Sequence, residues 1–255
     1  MTLQICSILQ RSAHSFPIPA MQQALREHWP QLPAASEIVE EDGTLSFQLG
    51  QAQIAMGIMP VPMPIDDLDA MCQQAILWPN ARPALQAHQV HTIISVSGEL
   101  SPLEIATCLT QVSAALLLAS PDALGVYWHN ASQLVLKELF CDFAREILPL
   151  GPPLTIWVDT RTGWLDENHS HSAGYTRGLR ALGLMEMETL SASETPADLR
   201  DRFESIAGYL LENGPVIQDG DTLGESAQER IRVQYADSAF GLEQQVMRLM
   251  YEALH

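Results

Sequence analysis

The densest group of metal-capable side chains in the chain is His169-Ser170-His171, with Asp166 and Glu167 beside it. Imidazole and carboxylate together suit a borderline cation such as zinc. Alternation along a strand would set both imidazoles on one face, but no distant third ligand can be named, so a polar loop is the simpler reading. No metal and no cofactor is expected. His88 and His91 stand at a predicted helix-to-strand junction; their spacing lacks the glutamate and register of a zincin helix, and capping or packing accounts for them. Ser95-Val96-Ser97-Gly98 is half of a nucleophile elbow, yet that motif needs glycine where Ser95 stands. Ser101 and Glu104 instead have the spacing of a reciprocal helix cap, which explains the polarity of this junction without catalysis.

Two glycine-bounded segments, Gly174-Tyr175-Thr176-Arg177-Gly178-Leu179 and Gly220-Asp221-Thr222-Leu223-Gly224, match neither a Walker loop nor a dinucleotide fingerprint. Their glycines can supply positive φ, and Asp221 or Thr222 can hydrogen-bond a turn. Arg177 carries more information, since a cation in an acidic protein can anchor an internal carboxylate or bind an anion. Asp66, Asp67 and Asp69 sit at a predicted helix start, where they oppose the helix dipole. Trp78-Pro79 and Trp128-His129 read as core or rim aromatics. Tyr175, Arg177, Asp221, Thr222 and Trp128 remain as binding or structural candidates; no catalytic set emerges.

The elements that must position these residues follow from periodicity. Leu3 to Gln10 predicts a strand, and Ile18, Met21, Leu25 and Trp29 mark one face of a helix. Strands at Glu37 to Glu41 and Thr44 to Leu49 flank the turn pair Asp42-Gly43, and Ala52 to Met59 follows. Pro60, Pro62 and Pro64 forbid a ladder. Helical pieces carrying Leu68, Met71, Cys72 and Ile76, then Ala81 to Gln86, lead into a buried strand at Val90 to Val96. Residues 1–97 thus predict a βαββαβ, ferredoxin-like arrangement with an added strand. Beyond them, three helices share one spacing: Ile105, Leu109, Val112, Leu116; Leu136, Phe140, Phe143, Ile147; and Leu199, Phe203, Ile206, Leu210. Strands are expected at Leu124 to Trp128, Leu154 to Asp159, Leu184 to Leu190 and Ile231 to Tyr235. Thr160 to Ala173 and Glu212 to Gln228 read as irregular surface loops. The fold class is α+β, with an N-terminal half at 1–97 and a C-terminal half at 98–255 packed closely as one unit.

Composition bounds the function. The 255 residues suffice for a core without disulfide or metal staples, and 47% hydrophobic with 17% charged residues is a folding composition. Thirteen Lys and Arg against 31 Asp and Glu give a formal charge of −18, which disfavours nucleic acid and anionic membranes and favours a basic partner. Cys6, Cys72, Cys108 and Cys141 lie in apolar stretches without ligand spacing, as reduced core residues do. The N-terminal segment reads as a strand rather than an export signal, so a cytoplasmic location is expected. The apolar run Ile105 to Ala119 is shorter than the roughly 20 residues of a membrane span.

Several segments together resemble the bacterial domain-of-unknown-function family DUF4261: Gly57-Ile58-Met59-Pro60-Val61-Pro62-Met63-Pro64, Trp78-Pro79-Asn80 with Ala87-His88, Leu124-Gly125-Val126-Tyr127-Trp128, Trp157-Val158-Asp159, Tyr175-Thr176-Arg177-Gly178-Leu179, and Tyr209-Leu210-Leu211-Glu212-Asn213-Gly214 followed by Gly220-Asp221-Thr222. The resemblance spans most of the chain and implies no activity or catalytic residue. It implies genes near type VI secretion or contact-dependent toxin loci, where acidic proteins serve as immunity partners. The leading expectation is a non-enzymatic immunity protein that occludes a basic effector toxin. The alternative is a small-molecule-binding protein or enzyme with a cleft near Arg177, His169, His171 and Asp221. A homodimeric structural or regulatory subunit is a third reading.

Overall fold

Two antiparallel-rich sheets, one in each of two units, carry the chain in its computed structural model, which describes residues 2–13, 15–66, 68–224 and 231–251. The units are Met1–Trp157 and Val158–His255. This division falls later than the boundary expected at residue 97. The strand that follows that position joins the same sheet as the strands before it, so a cut there would run through a continuous ladder.

The first unit contains β1 (Thr2–Gln10), α1 (Ile18–His28), β2 (Ser36–Glu41), β3 (Thr44–Leu49), β4 (Ala52–Met59), α2 (Leu68–Gln74), α3 (Arg82–Ala87), β5 (Val90–Gly98), α4 (Pro102–Ala119), β6 (Ala123–Trp128), β7 (Gln133–Leu136), α5 (Lys137–Asp142), continued by a π-helical stretch Phe143–Ile147, and α6 (Leu154–Trp157). Its sheet runs β2-β3-β4-β5-β1-β6-β7. Around β1 the order is β4-β5-β1-β6, so β6, which lies beyond residue 97, supplies the strand on the other side of β1 from β5, with β7 outside it.

One sheet face is apolar because alternate positions, such as Leu45, Phe47, Ile54, Met56, Ile94, Val96, Cys6 and Ile8, are buried. α4 packs on β1, β5 and β6 and against α1. It starts at the Ser101–Glu104 capping box, with Pro102 in the first turn where its missing N–H is harmless. By length and composition α4 could cross a membrane, but Ile105, Leu109, Val112 and Leu116 are buried within the protein, as befits a central core helix.

The other face is covered near one end by the 63–88 segment, whose Met63, Trp78 and Leu85 cluster with Leu9, Leu124 and Leu134. Trp78 lies so close over Gly125 that a side chain there would collide with its ring and approach the Val135 carbonyl oxygen to 2.6 Å. His88 clips the proline-rich strand exit to α3: Nε2 accepts the Met63 N–H at 2.9 Å and Nδ1 bonds the Leu85 carbonyl at 2.5 Å. Asp69, one of the acidic triplet, pairs with Arg82; Asp67 lies outside the described residues. The strand expected at Leu154 to Asp159 is instead the short α6 followed by a strand that begins at Asp159. Pro152 and Pro153 start that helical turn, and the Trp157 indole N–H is drawn inward to Thr110 Oγ1 at 2.8 Å.

The second unit contains β8 (Asp159–Trp164), β9 (Ser172–Arg177), a 3-10 turn at Leu179–Leu182, β10 (Met187–Ala192), α7 (Pro196–Asn213), β11 (Thr222–Leu223), β12 (Ile231–Asp237) and β13 (Gln245–Tyr251). The order is β11-β12-β13-β10-β9-β8, and β10 and β13 run parallel. α7 packs on β8 and β9 with Leu199, Phe203, Ala207 and Leu210 buried. Its start is tied down by the Thr162 hydroxyl, which donates to Pro196 O at 2.8 Å. Thr160 to Ala173, expected as a loop, is largely the β8/β9 hairpin. Its polar residues disguise the alternation, because one face of this sheet is polar. The strand expected from Leu184 begins only at Met187, since Leu179–Leu182 forms the 3-10 turn. Of the other expected loop, 212–213 end α7, 214–221 are irregular, and 225–228 lie outside the described residues.

Candidate functional site

A single row of side-chain positions crosses the second sheet: Arg161 on β8 opposes Tyr175 on β9, Tyr175 opposes Glu188 on β10, Glu188 neighbours Arg248 on β13, and Arg248 opposes Gln234 on β12. The alternate positions Thr162 and Gly174 meet α7, so this row lies on the face away from that helix. Glu188 is fully buried, and such a carboxylate requires partners. It has them: Arg248 Nε donates at 2.8 Å, Ser238 Oγ at 2.8 Å and the Ala239 N–H at 3.2 Å. Arg248 also donates to the Asp237 carbonyl, and Phe240 stacks on Tyr175 with ring centroids 5.0 Å apart. The buried carboxylate thus straps the 238–240 segment across the sheet.

Beside this row Asp159 opposes Arg177, and Arg161 Nε donates to Asp159 Oδ2 at 2.6 Å. Burial pushes the Asp159 carboxyl up, while the hydrogen bond from Arg161 and the charges of Arg161, Arg177 and Arg200 pull it back down. Arg200 Nε is buried with no hydrogen-bond partner among the described residues.

Tyr175 and Arg177 therefore share one face, but the other residues singled out in the sequence lie elsewhere. Trp128 is 1% exposed in the first unit and packs against Phe140, as a core side chain. Asp221 accepts the Gln218 N–H at 2.8 Å in a turn, and Thr222 pairs with Arg232 at the sheet's far edge. Four strand steps separate β11 from β9, roughly 19 Å at about 4.8 Å per step. His169 and His171 occupy the β8/β9 connection, at the opposite end of β9 from Arg177. There His169 stacks on Trp164 at 4.9 Å, and His171 Nδ1 is 3.7 Å from Asp166. No group of three or more metal-capable side chains occurs among the described residues. Arg177, His169, His171 and Asp221 do not form one cleft.

The Thr176-Arg177-Gly178-Leu179 motif has an architectural role as well. The Thr176 hydroxyl donates to Glu186 at 2.9 Å, and the backbone N–H groups of Gly178, Leu179 and Arg180 converge on the same carboxylate. Gly178 supplies the φ of 122° that turns the chain into this nest. In the first unit, Ser95 donates to the Ala55 carbonyl inside the sheet, so there is no elbow at that strand end. Ser7 Oγ and His129 Nε2 are 2.9 Å apart, but Ser7 is 1% exposed.

A different surface lies at the other end of the charge scale. β2 is the edge strand of the first sheet and every one of its residues is exposed. Glu37 precedes and Glu40 and Glu41 follow Ile38 and Val39, which are 40% and 55% exposed. Its pairing with β3 shifts register between Ser36 and Val39, where Glu37 has a φ of 52°. Between β2, β3 and α1 runs an apolar groove lined by Ile18, Met21, Leu25, Ala35, Ile38 and Phe47.

Residues missed from sequence are Asp159, Arg161, Glu188, Phe240 and Arg248. A usable signal existed: Met187-Glu188-Thr189 places a charge between buried strand positions, which demands a buried partner. Residues 175–250, within the second unit, match the family model described as domain of unknown function (DUF4261). The match takes in Tyr175, Arg177, Glu188, Phe240 and Arg248, and leaves outside it the resembling segments at 57–64, 78–88, 124–128 and 157–159. No curated protein and no solved structure matches the chain.

Proposed function

We propose that this chain is a cytoplasmic, non-enzymatic binding protein that neutralises a basic secreted effector, as an immunity protein does, by docking it along β2. The observation that carries the reading is the fully exposed edge strand, which combines unpaired backbone groups, the acidic residues Glu37, Glu40 and Glu41, and the exposed Ile38 and Val39. An edge strand of this kind accepts an added strand by main-chain hydrogen bonds, and alternate side chains then set specificity. Its acidity opposes pairing with a second acidic copy and steers a basic partner, in keeping with the formal charge of −18. The shallow apolar groove beside it adds apolar contact surface next to the strand edge.

The test is affinity capture at low and moderate salt followed by co-expression of any toxin-like partner with the wild-type chain or with a Glu40→Lys, Glu41→Lys double variant. Stoichiometric capture with rescue of growth by the wild type alone supports the reading. Equal rescue by the double variant, or capture of no toxin-like protein, contradicts it.

A further inference from the structure

We infer that the face of the first sheet turned away from α4 is the contact between two copies of this chain. The face is crossed by one row in register, Val39 on β2, Ser46 on β3, Ala55 on β4, Ser95 on β5 and Ile5 on β1. These positions alternate with buried ones such as Phe47, Ile54 and Val96, so they point away from the core. All five are exposed or half-buried. The 63–88 segment does not shield them, because it packs around Leu9, Leu124 and Leu134 at the other end of the strands. The contact uses the flat of the sheet rather than the β2 edge, so it goes beyond the effector-docking reading and does not depend on it.

Thirteen Lys and Arg and 31 Asp and Glu share this chain, yet over that row and the two rows flanking it the one ionised side chain is Glu41, at the hairpin corner. The remaining positions are Ser, Thr, Gln, Gly, Ala and aliphatic residues. Depletion of charge, more than bulk hydrophobicity, marks the core of a protein interface. Ser95 Oγ donates to the Ala55 carbonyl at 3.3 Å, so this hydroxyl has a partner within the sheet and can leave water without being orphaned. Leu3 and Val39, each 55% exposed on β1 and β2, add apolar area on either side of the small residues at the centre.

Charge also identifies the occupant. A basic partner is drawn to the glutamates of β2 and gains nothing from a neutral surface. Two acidic copies repel one another wherever their carboxylates face, but on this face they meet without opposing like charges at the centre. A contact about a two-fold axis requires such a self-complementary patch. Ala55 lies on β4, the middle strand of the five, where small side chains let two sheets approach closely. Five strands at about 4.8 Å and three rows at about 6.8 Å make a face of about 24 by 20 Å, hence about 1,000 Å² over two copies, which reaches the lower bound of a specific interface.

The full-length chain is followed by sedimentation equilibrium from about 1 to about 200 µM, at about 0.05 M and about 0.5 M sodium chloride. A reversible dimer is expected, with a Kd that falls about threefold or more as salt rises, because screening weakens the repulsion between two copies of charge −18. Effector binding along β2 has the opposite salt dependence, so failure of one reading leaves the other standing. Ala55→Arg places a charge at the centre of each face and is expected to raise Kd about tenfold or more. Ser46→Lys, at the neighbouring exposed position, is expected to do the same and serves if Ala55→Arg fails to fold. A wild-type chain that stays monomeric throughout, the result expected if some other protein covers the face, overturns the inference. So does association that weakens with salt, or a folded variant that dimerises as the wild type does.

Discussion

The two units use charge in opposite ways. On the edge of the first sheet Glu37, Glu40 and Glu41 stand in solvent, and the core behind them is apolar. On the second sheet Glu188 and Asp159 are buried and answered by arginines that tie strands and the 238–240 segment together. Exposed charge steers encounter and is screened by salt; buried charge is structural and unforgiving of the loss of either member. The first unit thus exposes its acidic residues along a sheet edge, whereas the second buries two carboxylates beside arginines of its own fold.

The sharpest way to break this contrast is at Glu188. Replacing it with alanine leaves Arg248 without its buried partner and is expected to destabilise the second unit by about 3–5 kcal/mol. The double change Glu188→Met, Arg248→Met should recover most of that loss, as measured by denaturant unfolding. The three lysine-free exposed acids of β2 should each tolerate substitution within about 0.5 kcal/mol.

The cysteines allow the first unit to be followed alone, since all four lie within it. Burial pushes the Cys6 and Cys108 thiols up to about 12 and Cys141 to about 11, while Cys72 sits on the partly exposed α2. At pH 8, one thiol is expected to react rapidly with a chromogenic disulfide and the other three about a thousandfold more slowly, in step with unfolding. Simultaneous reaction of all of them would mean that the core around α4 is open. Next in size is Gly125→Val, which forces Trp78 and β7 apart; a loss of about 1–3 kcal/mol is expected, with a weakened near-ultraviolet tryptophan signal. Ser101→Ala removes the side-chain cap of α4 and should reduce stability by about 1 kcal/mol, with Glu104 losing the hydroxyl hydrogen bond, the larger of the two Ser101 bonds that hold its carboxyl below the usual range, and keeping the one from the backbone N–H.

Smaller still is a pH effect. Burial, with the charge of His91, lowers the His129 imidazole below its usual value. The unfolded chain then binds the proton more readily, so His129 takes stability away as pH falls through the ordinary histidine value of about 6.5. His129→Gln should flatten that part of the stability curve.

The same contrast explains what could be read in the residues beforehand. Ser101 and Glu104 lie within one helical turn, and Asp42-Gly43 forms its turn with φ of 47° and 76°, so both are local signals. The apolar stripe of α4 and the alternation of β3 and β4 were equally legible because burial there follows one period. The polar face of the second sheet was not. Arg177 stood out as a cation, but its neighbour Asp159 is met only across a strand pair, and Glu188 finds Arg248 60 residues later in the chain. Nothing local encodes such pairings. For the same reason residue 97 looked like a boundary: only the ladder between β1 and β6 reveals that the first sheet continues past it.

The most direct test of the account is the association rate between the wild-type chain and its captured effector, measured at low and at moderate ionic strength and repeated with Glu40→Lys, Glu41→Lys. The account predicts a rate that falls about tenfold or more as salt rises, and a double variant that associates slowly and is far less sensitive to salt. A rate indifferent to ionic strength, or unchanged by reversing the charges of β2, would contradict it.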